Sequence, residues 1–371
     1  MEKKLIRLKT EDNQLFMSKL LRFYVLSTAF VLGAFAPNAQ AQITGGRHVF
    51  EFLSLPVSAR VTALGGAQAA VRDDDPVFAA ANPAALNPLM HGRLTFNHNF
   101  FLSDIQHGYV AYAHHLEKIG FTVQGGLQYI KYGEMQRADE FGNLQGNFKA
   151  GESAFTLGAA RALTDQLSVG LNLRLGVSTL DVYQASALLA DAGVMYADTA
   201  KRFTVGLVVR NAGAQMATYN DLREPLPLDV QLAFTKRLKH LPFRFGVVAH
   251  HLHEWDIRYD DPNLQDEEVL FFGEEQPQEN KAGVAIDNFF RHLIFNGEFL
   301  LGKNESFRLR FGYNHLRKRE LTVRNYRSLA GFSGGIGVKI KRFRVDFGYA
   351  SYHLAGGVAH LGVGTNLRDF F

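Results

Sequence analysis

Leu167-Ser168-Val169-Gly170-Leu171-Asn172-Leu173-Arg174-Leu175-Gly176-Val177 places a large aliphatic side chain at every odd position and a small, polar or charged one at every even position. Alternate side chains of an extended chain point to opposite faces, so this stretch reads as a strand with one oily and one wet face. Its length, about eleven residues, is what a tilted strand needs to cross the hydrocarbon core of a bilayer. A single strand of this kind would also suit a soluble sheet. Recurrence decides the matter: the pattern returns about fourteen times, a count in the range of membrane barrels, and the gaps alternate between short and long.

The two-residue period starts at Arg93. Leu94, Phe96 and Phe100 share one face, and Phe121, Val123, Leu127 and Tyr129 share another. Leu228, Val230, Leu232 and Phe234 oppose Asp229, Gln231 and Thr235, and Phe307, Leu309, Phe311 and Tyr313 oppose Arg308, Arg310 and Asn314. The wet faces carry Arg174, Arg210, Arg244, Glu298, Arg308, Arg310 and Asp346. In a soluble core each unpaired charge would cost several kcal/mol, whereas a polar lumen accepts them while lipid takes the oily face. Tyr129, Tyr196, Tyr313 and Tyr349 fall near strand ends, where interfacial aromatic girdles belong.

The gaps Glu117-Lys118, Thr164–Gln166, Asp198–Lys201, Lys239–Leu241, Gly302–Asn304 and Lys341-Arg342 are tight. Longer stretches lie between them at Gly133–Gly151, Ala212–Pro227, His253–Phe289 and Arg317–Ala330. Short periplasmic turns and long surface loops alternate in this way in outer-membrane barrels, which predicts that both mature termini are periplasmic.

Composition agrees. The 371 residues include 47% hydrophobic residues, 35 Gly and only 10 Pro, which fits many strands and tight turns and excludes a disordered chain. Cysteine is absent, which removes thiol catalysis, disulfides and cysteine-ligated zinc. Lys3, Lys4, Arg7, Lys9, Lys19 and Arg22 precede an apolar run from Phe23 to Ala36, and Ala39-Gln40-Ala41 follows as a small-x-small site. This layout predicts a secretory signal peptide over 1–41, cleaved to leave Gln42 first. The mature chain then carries 34 basic and 33 acidic residues, so its charge gives no reason to expect nucleic acid as a partner.

Residues 42–91 read differently. Pro56 suits the first turn of a short helix that Gly65-Gly66 would end, and Asp73-Asp74-Asp75-Pro76 and Asn82-Pro83 are turn and cap signals around Ala-rich runs. A compact segment of this kind ahead of a barrel fits the lumen as a plug. Its candidate residues are Pro56, Arg60, Gly65, Gly66, Asp74, Asp75, Asn82 and Pro83. The expected fold is therefore all-β: a transmembrane antiparallel barrel of about 14 strands over 92–371, a range typical of outer-membrane barrels, with an N-terminal lumenal plug over 42–91.

Phe52-Leu53-Ser54-Leu55-Pro56-Val57-Ser58-Ala59-Arg60, Leu64-Gly65-Gly66, Asp74-Asp75-Pro76 and Asn82-Pro83-Ala84 resemble the PorV/PorQ family. These are outer-membrane barrels of the Bacteroidetes type IX secretion system, similar to the long-chain fatty-acid transporter barrel. Lys236–Phe245, Tyr352-His353-Leu354-Ala355-Gly356-Gly357 and the ending Thr365–Phe371 point to the PorQ branch. The resemblance implies a fourteen-stranded barrel with an N-terminal plug. It also implies a role in the cell-surface attachment complex, beside the barrel PorV and the protease PorU, in which the chain holds the surface protein PorZ. In PorV the barrel instead receives the cargo's signal domain.

Motifs for chemistry are weak, and neither catalytic, cofactor nor metal residues are expected. Gly331-Phe332-Ser333-Gly334-Gly335 matches G-x-S-x-G but runs on into a strand and lacks the strand-to-helix elbow that would expose the serine. His250 and His251 should diverge to opposite faces of a strand, which counts against metal binding by His250-His251-x-His253. Loop charge is more informative. His253–Phe289 has a net charge of −9 and Arg317–Ala330 has +4, and only two strands separate them. Trp255, Tyr259, Phe271 and Phe272 lie among the acids, as an interface core requires, so these four and Arg317, Lys318 and Arg319 are the candidates for docking a surface protein. A transporter for an apolar molecule is the competing expectation.

Overall fold

The computed structural model describes residues 48–101, 104–258, 281–321, 328–353 and 356–370. The leader, the segment 42–47, Tyr259, Phe271 and Phe272 lie outside the described residues. Fourteen antiparallel strands close on themselves, β1 (Arg93–Phe100) pairing with β2 (Gln106–Leu116) on one side and with β14 (Gly356–Asn366) on the other. Between them run β3 (Phe121–Ala138), β4 (Leu144–Ala162), β5 (Leu167–Leu180), β6 (Tyr183–Asp198), β7 (Phe203–Ala217), β8 (Asp229–Arg237) and β9 (Phe243–Ala249). The rest of the wall is β10 (Leu293–Leu301), β11 (Phe307–Asn314), β12 (Phe332–Ile340) and β13 (Phe343–His353).

The pattern of β5 turns the soluble-protein rule inside out. Leu171, Leu173, Leu175 and Val177 are exposed, while Ser168, Asn172, Arg174 and Ser178 are buried. Leu157, Leu207, Leu232, Leu309, Phe311, Ile336 and Phe347 continue the apolar exterior, and Asp191, Glu298 and Arg310 continue the polar interior. A closed ladder leaves no edge and pairs each wall strand with a neighbour on both sides, so this is a membrane barrel of the outer-membrane type. Among the described residues no helix is long and apolar enough to cross a membrane.

The two rims differ, and not as the gaps predict. Six tight turns mark one end. At the other end β3 and β4 run past the expected Gly133–Gly151 gap and close in a hairpin at 139–143, and β7 extends to Ala217. Only two residues separate β5 from β6, and two separate β13 from β14. Strict alternation therefore fails. The long connections cluster over β7–β12, and a tall wall of β3–β7 stands opposite.

The plug crosses the whole lumen. Phe52 and Leu53 pack with Ile130, Ala185 and Leu189 at the long-loop end, and the Val49 amide donates to the Pro225 carbonyl (3.1 Å) in the β7–β8 connection. The chain then forms α1 (Ala59–Ala63), descends to Asp73–Asp75, forms α2 (Val77–Ala81), and enters β1 at the short-turn end. Ser58 caps α1 by accepting from the Val61 amide (3.1 Å), so the helix starts at Ala59, three residues after Pro56. Gly65 and Gly66 adopt φ of 92° and 98°, which stops the helix there. Residue 48 and the end of β14 therefore sit at opposite ends of the barrel, while the expected mature start, Gln42, lies outside the described residues.

Candidate functional site

The lumen is built as three zones along the plug. At the short-turn end Arg60, buried on α1, lies over the Phe78 ring (4.5 Å) and reaches three carboxylates: Asp73 (2.6 Å), Asp75 (3.2 Å) and Glu298 of β10 (3.3 Å). Glu298 also takes Arg310 (2.7 Å) and Arg244, and Arg310 continues to Asp346 (2.6 Å). Asp74 joins Arg344 (3.0 Å) and Arg93. Plug carboxylates thus meet arginines from β1, β9, β11 and β13, each of which starts at or near this rim. The cost of desolvating these charges is offset because each is paired and hydrogen-bonded. The guanidinium groups of Arg60, then Arg244 and Arg308, outweigh burial and hold Asp73 well below the usual carboxylate range. Burial dominates at Asp75 and pushes its carboxyl up.

The middle zone is held by backbone capture. Asn82 is fully buried: its amide donates to the Ala69 carbonyl (2.9 Å) and its oxygen accepts from the Ala84 amide (3.0 Å). Asn172 and Arg174 donate to the carbonyls of Ala79 (3.0 Å) and Ala80 (2.8 Å), and Ser168 donates to that of Ala84 (2.8 Å). Ser333, the serine of the G-x-S-x-G match, accepts from the Gly65 amide (3.0 Å) and donates to the Ala63 carbonyl (3.1 Å). It works here as a plug contact within β12. Wall glycines allow this approach: a Cβ on Gly170 would lie 2.5 Å from the Pro83 carbonyl carbon, and one on Gly193 would collide with the Asn82 oxygen.

The third zone is a cavity of about 400 Å³ at the long-loop end, floored by Gly66 and Ala67 and walled by Arg210, Asp229, His250, His251 and Arg317. Contrary to the expected divergence, the His250 and His251 rings converge, with Nδ1 atoms 2.5 Å apart. β9 ends at Ala249 and His251 takes φ of 54°, so strand alternation no longer applies. Burial, then the neighbouring His251, pushes the His250 ring down to about 3, so it is neutral at pH 7. Among the described residues no cluster of three or more ligands could hold a metal ion.

α4 (His315–Glu320) lines this cavity with Leu316, Arg317 and Glu320, and α3 (Lys281–Arg291) packs beside α4. Asp287 of α3 accepts from Arg291 (2.8 Å) and pairs with Arg319 (2.8 Å) and His315 (3.2 Å) of α4, so the acidic and basic loops meet here. Of the rim candidates, Trp255 is exposed and stacks on His292 (5.6 Å), Arg317 lies over the Tyr352 ring (4.7 Å), and Lys318 donates to the Ser328 carbonyl (2.5 Å). Arg319 and Arg317 therefore serve the cap and plug directly, and Trp255 joins the cap through Asn288 and His292. Of the plug candidates, Arg60, Asp74 and Asp75 enter the ionic zone, Asn82 and Pro83 the middle zone, and Gly65 and Gly66 the turn beneath Arg317. Pro56 is buried without a polar role.

Sequence reasoning missed the arginines as a set. The signal was available: Arg244, Arg308, Arg310 and Arg344 each follow a short turn by a few residues on a wet face, opposite a triple aspartate. Helix α3 was missed too, although Ala282, Ala285, Ile286 and Phe289 repeat at helical spacing.

A family model described as Uncharacterised protein family (UPF0164) matches residues 26–223. No curated protein matches the chain. Similar solved structures include the CymD monoaromatic hydrocarbon channel, at 12% identity over 84% of this chain and 96% of that one, with a TM-score of 0.47. The Pseudomonas putida toluene transporter TodX matches at 11% identity over 84% and 96%, with a TM-score of 0.47. A Pseudomonas aeruginosa FadL homologue matches at 12% over 84% and 98%, with a TM-score of 0.46.

Proposed function

The chain belongs to the Uncharacterised protein family UPF0164, and from that footing we propose that this outer-membrane barrel is an anchor: a PorQ-like component of the type IX secretion system that holds a surface protein of the attachment complex on its loop rim. The proposal places the short turns in the periplasm and the long loops at the cell surface, after signal-peptide cleavage behind Ala41. Its partner is PorZ-like, with PorU and PorV as further members of the assembly, and nucleic acid has no part in it.

The observation that carries this reading is the plug, which is pinned by buried ion pairs at one end and packed apolar at the other. A lumen filled in this way suits a rigid platform better than a pore. The rim supplies docking chemistry in the exposed Trp255 and in the acidic stretch 260–279 that follows it. Tyr259, Phe271 and Phe272 are the aromatic candidates there. The test is deletion of Pro262–Gln278 with retention of the surface partner as readout: loss of the partner is expected, and full retention would refute the docking role.

The cavity favours a second reading, an outer-membrane transporter for an apolar small molecule, or a PorV-like cargo barrel. Its volume of about 400 Å³ is enough for a small ligand. Its histidines, carboxylates and arginines suit an apolar solute poorly. Purification of the mature barrel from detergent separates the two: co-purified surface protein supports the anchor, and a barrel recovered alone with bound fatty acid supports transport.

A further inference from the structure

Helix α3 is amphipathic the wrong way round for a helix in water. Its buried side is polar: Asn288 is 3% exposed, accepts from the Ile257 amide (3.4 Å) and donates to the Trp255 carbonyl, while Asp287 and Arg291 pair with each other and Asp287 with α4. Its outer side is apolar: Ile286 is 59% exposed, Phe289 49% and Phe290 39%. Ala285, Ile286 and Phe289 lie on one stripe at i, i+1 and i+4, and Phe290 flanks it. A helix in water that hydrogen-bonds its polar face to protein while leaving three large apolar side chains exposed gives up the stabilisation that normally seats it.

The position of the helix resolves this. α3 leads directly into β10, whose Phe295 faces outward. The Phe290 ring lies 6.0 Å from the His315 ring, which lies 5.9 Å from Tyr313, and Tyr313 lies 4.8 Å from Phe332. Phe295 pairs with Tyr313, and Tyr313 with Phe332, across β10–β12. The apolar stripe is thus continuous, ring by ring, with the upper edge of the lipid-facing belt. We infer that α3 is an interfacial helix, with Ile286, Phe289 and Phe290 seated among the acyl chains of the leaflet at the long-loop rim. Eleven residues make a rod of about 16 Å. Lying in the interface, such a rod ties the start of the cap to the membrane plane and leaves its polar face for α4 and the Trp255–Ile257 segment. The inference rests on the barrel spanning a membrane and is independent of the secretion role.

The chain has no cysteine, so single-cysteine spin labels report without ambiguity. Ile286→Cys and Phe289→Cys would be labelled in the full mature barrel in phospholipid vesicles without any partner protein. Leu309→Cys on the lipid face and Leu222→Cys on the β7–β8 connection serve as references, and heat-modifiable gel mobility checks folding. Collision with oxygen against a water-soluble nickel chelate is the readout. Oxygen-rich, nickel-poor collision at both sites, like that at 309, is expected. Nickel access like that at 222 overturns the inference, whether or not a surface protein later shields the sites. Protection from both reagents in vesicles alone also overturns it, in favour of contact with a second copy of the chain.

Discussion

Arg60→Met removes the charge at the centre of the ionic zone while keeping an unbranched stem over Phe78. Removal of one partner of a buried ion pair costs about 3–5 kcal/mol, because the remaining charge stays buried. The low end applies here. Glu298 keeps Arg244 and Arg310, Asp75 keeps Arg344 at 3.9 Å, and Asp73 keeps Arg244 at 3.7 Å and Arg308 at 3.8 Å. At a factor of ten per 1.4 kcal/mol, a loss of about 3 kcal/mol raises the population with the plug end released by roughly a hundredfold. The assays are guanidinium unfolding of the detergent-solubilised barrel and ion conductance in planar bilayers. The variant should unfold at lower denaturant and show openings rare in the parent. Glu298→Gln should cost more, since Arg60, Arg244 and Arg310 converge on that carboxylate. The double variant should fall short of the sum of the two. If Arg60→Met matches the parent in both midpoint and conductance, the plug is not held by these ion pairs.

Gly193→Ala should unseat Asn82 and cost about 1–3 kcal/mol, with a lowered unfolding midpoint as the measure, because a Cβ there meets the Asn82 oxygen with no room beyond it. Acid should act on the cap before the plug. The folded His250 ring titrates at about 3 against an ordinary value near 6.5, so its neutral, buried state loses stability as pH falls from about 6.5 toward 3. Asp73 and Asp74 are held low, so their contribution is full above about pH 4 and is lost only below it, while Asp75, pushed up by burial, runs the other way. Intrinsic fluorescence of Trp255, which stacks on His292 in the cap, should therefore change at a higher pH than the barrel's circular dichroism.

The barrel was legible because its cause is local. One strand such as β5 states which face is wet, and repetition of that statement forces closure. The plug's place was legible from what its segment lacks, a strand period, and from its caps and turns. Its attachment was not legible, because Asp73–Asp75 meet Arg93, Arg244, Arg308 and Arg344 only once the strands are in register around the wall, and no spacing in the chain encodes that. His250 and His251 defeated the strand rule for a local reason: two residues past the end of β9, a left-handed backbone at His251 turns a diverging pair into a converging one. The expected loop at Gly133–Gly151 became strand because Lys131, Glu134 and Lys149 sit on exposed positions of a ladder that rises clear of the apolar belt, where polarity no longer marks a loop.

The two ends of the plug are held by forces that respond to different perturbations, so the lumen has two separable openings. Residues 49–55 are held by apolar packing of Phe50, Phe52 and Leu53 and by hydrogen bonds from Gln128 and Arg210 to the carbonyls of Phe52 (2.8 Å) and Leu53 (3.3 Å). Displacing them enlarges the cavity without separating any ion pair of the Arg60 zone. Residues 58–76 cannot leave without desolvated charges parting company, and salt screens such buried pairs little. Amide hydrogen exchange should therefore show two classes, with Leu53 and Leu55 exchanging through a low-energy local opening and Thr62, Leu64 and Phe78 only through release of the whole plug. Arg60→Met should collapse the second class toward the first and leave the first unmoved. A single rate class across 49–81, shifted as one block by the substitution, would mean that the plug is one cooperative body and that the loop-end cavity cannot widen on its own.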